Sequence, residues 1–249
     1  MGQGAFRRRR RPVDVRGLVD AHLGAGDPTG WFEPLYADAA SDAARVPWAG
    51  SAPHPYVTDW LDVPVATPPG RRAVVVGCGL GDDAAELARR GYEVTAFDVA
   101  PTAVAWARRR FADLDIDWRV EDVLEVSPDL VGAFDLVVEV RTVQSLPGGV
   151  RVAAMDAIGR LAAPRGVVVV VTLVATDADT ARGWDGPPWA QAPSELAVYR
   201  GSGLVRLALE HPEPDERGAM EVRITWQRPE GQPPGDSVIG GPGGLPIVS

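Results

Sequence analysis

The sequence contains no lysine: all 25 basic residues among its 249 are arginine. That removes Schiff-base chemistry, lysine-bearing phosphate loops and the Tyr-x-x-x-Lys type of dehydrogenase. Cysteine is almost missing, with Cys78 alone, so neither an internal disulfide nor a cysteine-rich zinc site can form. Histidine is scarce too: His22, His54 and His211 are the full set, and no metal is expected. Long apolar runs are absent. The most apolar stretch, residues 167–175, falls far short of the ~20 residues a membrane-spanning helix needs. Arginines 7–11 are followed by no apolar segment, so they do not read as a secretory signal, and a cytoplasmic protein with no membrane partner is expected. Positive charge is in deficit, with 34 acids giving a net charge of -9, which disfavours general nucleic-acid binding.

What is present describes an ordinary globular chain, 45% apolar and 24% charged, of a length suited to one large domain. Residues 1–12 read as a basic, disordered tail, and 229–249, with six glycines and repeated prolines, as a second one. Residues 13–66 are helical, rich in aromatics and broken by Pro47, Pro53, Pro55 and Pro64, which suits a lid. From residue 71 strands and helices alternate. Strands are expected at 72–76, 92–97, 116–120, 134–140 and 167–174, with helices at 82–90, 101–111 and 150–162 and a short one near 194–200. Two last strands, 205–210 and 219–227, are joined by a loop too short for a parallel crossover. The expected architecture is an α/β, doubly wound, seven-stranded and mostly parallel sheet with an antiparallel last strand, forming a single domain over 13–228.

The central motif is the glycine loop Gly77-Cys78-Gly79-Leu80-Gly81-Asp82-Asp83 after the first strand. Alternate glycines let the backbone turn and approach a ligand closely. A dinucleotide would put its pyrophosphate at the start of the next helix, where Asp82 and Asp83 stand. A carboxylate about 5 Å from a phosphate charge costs ~3 kcal/mol at an effective dielectric near 20. The pair suits a ligand without phosphate and with some positive charge, and S-adenosylmethionine fits that description. The same two acids would also serve as helix-capping groups. Asp98, with Val99 behind it, ends the second strand and can accept from both hydroxyls of a ribose; it would also cap the helix beginning at Pro101. Asp122, followed by Val123, comes after the third strand and can accept from an adenine amino group, or stand as a solvated loop acid.

The loop 77–81 with Asp98 and Asp122, each after a successive strand, resembles the class I S-adenosylmethionine-dependent methyltransferases over residues 70–228. A narrower resemblance is to the thiopurine, halide and thiol methyltransferases. It rests on Trp31 with Val46-Pro-Trp48-Ala-Gly50, on the loop through Asp83, on Phe134-Asp-Leu-Val-Val-Glu139 to Leu146-Pro147, and on Gly186-Pro-Pro-Trp189 followed by Ser194-Glu195-Leu196. The resemblance implies S-adenosylmethionine as cofactor, held by Trp48, Gly77, Cys78, Gly79, Gly81, Asp83, Asp98, Val99, Asp122, Val123 and Glu139. The chain departs from the pattern at Val75, where many class I enzymes carry an acid, and at Glu139, where the narrower family often has aspartate.

Methyl transfer asks a protein to align a nucleophile with the methyl and to exclude water, and a base is needed only for acceptors that are not already ionised. Glu139, Arg141 and Gln144, at and after the end of the fourth strand, are the catalytic candidates: Glu139 to orient the cofactor's amino group or act as base, Arg141 to hold an anion, Gln144 to hydrogen-bond the acceptor. Trp31, Trp48, His54, Arg141, Gln144 and Trp189 are the candidates for the acceptor pocket. The expected reaction is transfer to a small-molecule nucleophile, sulfur first and oxygen or nitrogen next, by a monomer or homodimer that does not bind nucleic acid. The alternatives are a nucleic-acid or protein methyltransferase, a nucleotide-dependent oxidoreductase, and a non-catalytic cofactor binder, since fold alone does not establish catalysis.

Overall fold

The computed structural model describes residues 13–39, 41–50, 52–232 and 234. The two sequence-expected tails, 1–12 and most of 229–249, lie outside the described residues.

One sheet organises the fold. Its strands are β1 (Arg72–Val76), β2 (Glu93–Asp98), β3 (Ile116–Val120), β4 (Phe134–Val140), β5 (Ala162–Ala175), β6 (Val205–Glu210) and β7 (Ala219–Gln227), in the spatial order β3-β2-β1-β4-β5-β7-β6. The pairs β1–β2, β1–β4, β2–β3 and β4–β5 are parallel, while β7 runs antiparallel to both β5 and β6. This is the class I methyltransferase arrangement that the sequence led us to expect. Strand β5 begins at Ala162, earlier than its apolar run suggests, because the pairing with β4 shifts register between Phe134 and Leu136.

Strand residues alternate between two cores, as the period of two requires. Val74, Val76, Val137, Val168 and Val170 pack with Ala154, Met155, Ile158 and Leu161 of the helix Gly148–Leu161 on one face. Ala73, Val75, Leu136, Val138 and Val169 pack on the other face with the helices Asp82–Arg89 and Pro101–Arg110. Three further helices precede the sheet, at Val15–Gly24, Phe32–Ala39 and Pro55–Asp62. In chain order these six are α1 (Val15–Gly24), α2 (Phe32–Ala39), α3 (Pro55–Asp62), α4 (Asp82–Arg89), α5 (Pro101–Arg110) and α6 (Gly148–Leu161).

The N-terminal helices form a third apolar cluster in which Trp31, Leu35, Tyr36, Ala39 and Val46 meet Ala103 and Trp106 of α5. Polar ties fix them as well. Glu33 of α2 accepts from Thr102 N at 2.9 Å, capping the start of α5. Arg223 of β7 donates to Tyr56 O of α3 at 2.6 Å. Register sets the site. Val76 pairs with Phe97 and with Glu139, so β1, β2 and β4 end level and their following loops share one edge.

Candidate active site

A cleft opens over that edge in two compartments that share Trp48, Gly77, Val140 and Arg141. The first is the smaller, with a cavity volume of about 70 Å³ against about 370 Å³ for the second. It is lined by Thr29, Phe32 and Tyr36 from the N-terminal segment, by Asp98 and Val99 after β2, and by Asp122 and Val123 after β3.

The glycine loop is shaped by close approach. Gly77 has φ +60°, and a Cβ there would sit 2.3 Å from Thr142 Oγ1. Gly81 has φ +87°, and a Cβ would meet the Trp118 ring at 2.6 Å. No other residue fits either position without strain. Asp98 is buried, and its two oxygens accept from Gly79 N and Ala100 N, both at 2.9 Å. Burial raises its pKa to about 6, against the pull of those backbone N–H groups. Each carboxylate oxygen keeps a second lone pair for a ligand. Asp122 accepts from Leu124 N at 2.8 Å and from Thr29 Oγ1 at 2.9 Å, so the N-terminal segment is bonded to this acid directly. Trp48 donates through Nε1 to Tyr36 Oη at 2.9 Å, and Tyr36 stays protonated because burial pushes its pKa well up.

The second compartment runs from Trp48 to Pro55 on one side and along Gly77 to Asp83 on the other. Asp82 and Asp83 take different parts there. Asp82 is held by Arg110 in a two-pronged pair at 2.7 and 2.8 Å, which neutralises it. The charge argument against pyrophosphate therefore rests on Asp83 alone. Asp83 accepts from His54 N at 2.7 Å, and burial raises its pKa. His54 is the N-cap of α3: its Nδ1 accepts from Tyr56 N at 3.2 Å, which leaves the ring proton on Nε2, 3.3 Å from Glu221 Oε2. Glu221 also takes Arg141 Nε at 2.5 Å and Nη2 at 3.0 Å. Burial alone would raise the Glu221 pKa, but the bonds from His54 and Arg141 outweigh it and hold it at about 2. Cys78 is half-buried between the glycines, and burial lifts its thiol well above the ordinary range.

Four sequence candidates do not line the cleft. Glu139 is fully buried on the α6 side of the sheet, where Oε1 accepts from Thr142 N at 2.6 Å and Val143 N at 3.1 Å. Its pKa is raised to about 7 by burial, partly offset by those two bonds. Those two bonds shape the loop after β4. Gln144 is buried, and its Oε1 accepts from Leu173 N at 2.6 Å. Trp31 is wholly buried and stacks on Phe32 with ring centroids 3.9 Å apart. Trp189 is half-buried, and its backbone N–H donates to Gln144 O at 2.7 Å. Trp48, His54, Asp83, Asp98, Val99, Asp122, Val123, Arg141 and the loop 77–81 do border the cleft.

Sequence reading missed Thr29, Phe32, Tyr36 and Glu221. The first three flank Trp31 or lie between it and Trp48, in the segment already marked as a lid, so their neighbourhood was the available signal. Glu221 is an ordinary acid in the last strand, and nothing in its spacing announces it.

A protein-family profile for a methyltransferase domain matches residues 73–166. The matched stretch holds the glycine loop, Asp98, Asp122 and the loop after β4. The ubiquinone biosynthesis O-methyltransferase of Xanthomonas campestris pv. campestris (strain B100) is 33% identical over 127 residues, 50% of this chain and 52% of that protein. The protein of the same description from Xanthomonas oryzae pv. oryzae (strain PXO99A) is 34% identical over 125 residues, 49% of each. The chain thus spans about half the length of the curated relatives it matches. Among solved structures, the N-methyltransferase NodS from Bradyrhizobium japonicum WM9, in complex with S-adenosyl-L-homocysteine, aligns with a TM-score of 0.61 at 22% identity, covering 79% of this chain and 97% of that one. The [4+2]-cyclase SpnF aligns at 0.58 and 20% identity, covering 88% and 97%. At these identities the likeness establishes the fold alone. Among the described residues no group of three or more metal-ligating side chains forms, and no helix is long and apolar enough to cross a membrane.

Proposed function

We propose that the chain transfers a methyl group from S-adenosylmethionine to a small-molecule nucleophile. The observation that carries this reading is the line of three cleft acids, Asp83, Asp98 and Asp122, set around a glycine loop within the stretch that matches a methyltransferase-domain profile. The residues fit the cofactor. Asp98 offers two acceptor sites to ribose hydroxyls, and Asp122 one to an adenine amino group. Val99 and Val123 give apolar walls beside them. Asp83, short of a side-chain cation, suits an ammonium group. When bound, the cofactor supplies an electrophilic methyl carbon and its own leaving group.

The chain's work is then to bind, orient and keep water out. Residues 13–66 act as a lid. Thr29 bonds to the Asp122 carboxylate and His54 N to the Asp83 carboxylate, so lid and cofactor acids are fixed together. Trp48 and Tyr36 form an aromatic wall at the junction of the compartments. Neither His54 nor Glu139 stands ready as a free base: both His54 ring nitrogens are engaged, and Glu139 lies beneath the sheet.

That supports an acceptor that needs little help to ionise, which makes a thiol the first choice and accords with the narrower likeness to thiopurine and thiol enzymes. Oxygen or nitrogen is the second reading, favoured by the O- and N-methyltransferases among the similar proteins. A panel of thiols, phenols, amines and halide ions, read by release of S-adenosylhomocysteine, decides. Turnover led by thiols is expected. Turnover confined to phenols or amines replaces the first choice by the second. Cofactor binding with no turnover of any kind leaves a binding protein.

A further inference from the structure

Arg141 borders both compartments of the cleft, while Glu221, its partner, borders neither. The carboxylate therefore grips the guanidinium from outside the cleft. It does so along one edge, where Nε donates at 2.5 Å and Nη2 at 3.0 Å. A guanidinium carries five N–H donors arranged in forks, and Glu221 takes the fork of Nε and Nη2. The other fork, Nη1 with the second hydrogen of Nη2, has no partner among the described residues. The backbone beneath it is fixed as well. Arg141 has φ +60°, in the left-handed region that residues other than glycine seldom enter. Its N–H donates to Val171 O and its carbonyl accepts from Ser145 Oγ, both at 2.8 Å. Backbone and one edge of the side chain are thus held in place, and one donor edge is left over.

The second compartment also presents the opposite charge. Asp83 borders it, and among the described residues only Oδ1 of its carboxylate is bonded, to His54 N. Burial raises the Asp83 pKa, and the Arg141 charge is one of the influences pulling it back, so the two groups lie within electrostatic reach of each other. Asp82, on the same wall, is matched by Arg110 in its two-pronged pair. What remains is one cationic donor fork and one carboxylate oxygen around a single space of about 370 Å³. A guest of either sign alone satisfies one of them and faces the other. A guest with an ammonium beside a carboxylate satisfies both.

We propose that Arg141 is a cofactor-anchoring residue: its free fork holds the carboxylate of the cofactor's amino-acid end while Asp83 holds the ammonium, so the second compartment is a site for a zwitterion. The identity of that ligand rests on the methyl-transfer reading. The proposal moves Arg141 from the acceptor pocket, where the sequence placed it, to the cofactor.

S-adenosylhomocysteine and its decarboxylated analogue, which keeps the adenosine, the sulfur and the ammonium, are titrated by calorimetry into the full chain. Wild type is expected to prefer S-adenosylhomocysteine. Arg141→Gln should bind it about tenfold more weakly or worse, the scale of a lost charge-assisted pair, and should bind the analogue as wild type does. Arg141→Lys keeps the charge and loses the fork, so its loss for S-adenosylhomocysteine should be smaller but present; it decides the matter if Arg141→Gln does not fold. Equal wild-type affinity for the two ligands, or S-adenosylhomocysteine binding unchanged in either Arg141 variant, would overturn the proposal and leave the methyl-transfer reading standing. An equal loss for both ligands in Arg141→Gln would overturn it too, because the arginine would then act on the shape of the site and not on the carboxylate. A wild-type chain that binds neither ligand takes the methyl-transfer reading down together with the proposal.

Discussion

Glu139 shows how a residue well placed in sequence can end beneath the sheet and outside the lining of the cleft. It ends β4 level with the cofactor loop, which made it a catalytic candidate. A strand's side chains alternate, and its parity sends it to the α6 face. There it accepts two backbone N–H groups with no cation beside it, and burial raises its pKa to about 7. A carboxyl that is harder to ionise folded than unfolded stabilises the fold in full below its ordinary value of 4.5. That contribution is lost as pH rises through about 7. Glu139→Gln should therefore lose less stability than wild type between pH 5 and pH 8, measured by denaturant midpoints. Some slope should remain, because Asp98 is shifted the same way. Equal slopes in the two proteins would show that Glu139 is ionised without penalty. The residues that were legible, Asp98 and Asp122 above all, follow glycines and strand ends in a fixed order. Those that were not, Tyr36 and Glu221, meet cleft residues from elements distant in sequence, and one chain without its fold does not record such meetings.

At the scale of elements, periodicity marked nearly every strand and helix of the sheet, because a fully buried parallel strand leaves a continuous apolar run. The start of β5 was not legible, since Ala162 to Gly166 joins the strand through an irregular register and not through apolar character. The N-terminal helices were legible as a group and blurred as individuals. Proline breaks pointed to a lid, and Pro55 proved to be the first turn of α3, where proline is well tolerated. The two lid tryptophans divide by depth: Trp31 is core, Trp48 is wall. The lid account predicts that Trp48→Phe, which deletes the Nε1 bond to Tyr36, raises the acceptor's KM several-fold, roughly what one hydrogen bond is worth. Cofactor affinity should change little, because Asp98 and Asp122 are untouched. Initial rates varied separately in acceptor and cofactor measure this, and an effect confined to the cofactor would place Trp48 on the other side of the cleft.

For the whole molecule, the absence of lysine and the scarcity of cysteine and histidine leave chemistry to carboxylates, arginine and backbone. The net charge of -9 becomes informative where it gathers, in Asp83, Asp98 and Asp122 around one glycine loop. Asp82 belongs to a different group, since Arg110 neutralises it. A fold of this kind hosts both an N-methyltransferase and a [4+2]-cyclase among its structural neighbours, so the chemistry must be argued from the site. The account stands on those acids holding S-adenosylmethionine. Calorimetric titration of S-adenosylmethionine and of NADH into wild type and Asp98→Ala tests it most directly. Wild type is expected to bind S-adenosylmethionine and not NADH. The variant should bind the former about tenfold more weakly or worse, the scale of one lost charge-assisted bond. Binding of NADH without S-adenosylmethionine, or an affinity for S-adenosylmethionine unchanged by Asp98→Ala, would contradict it.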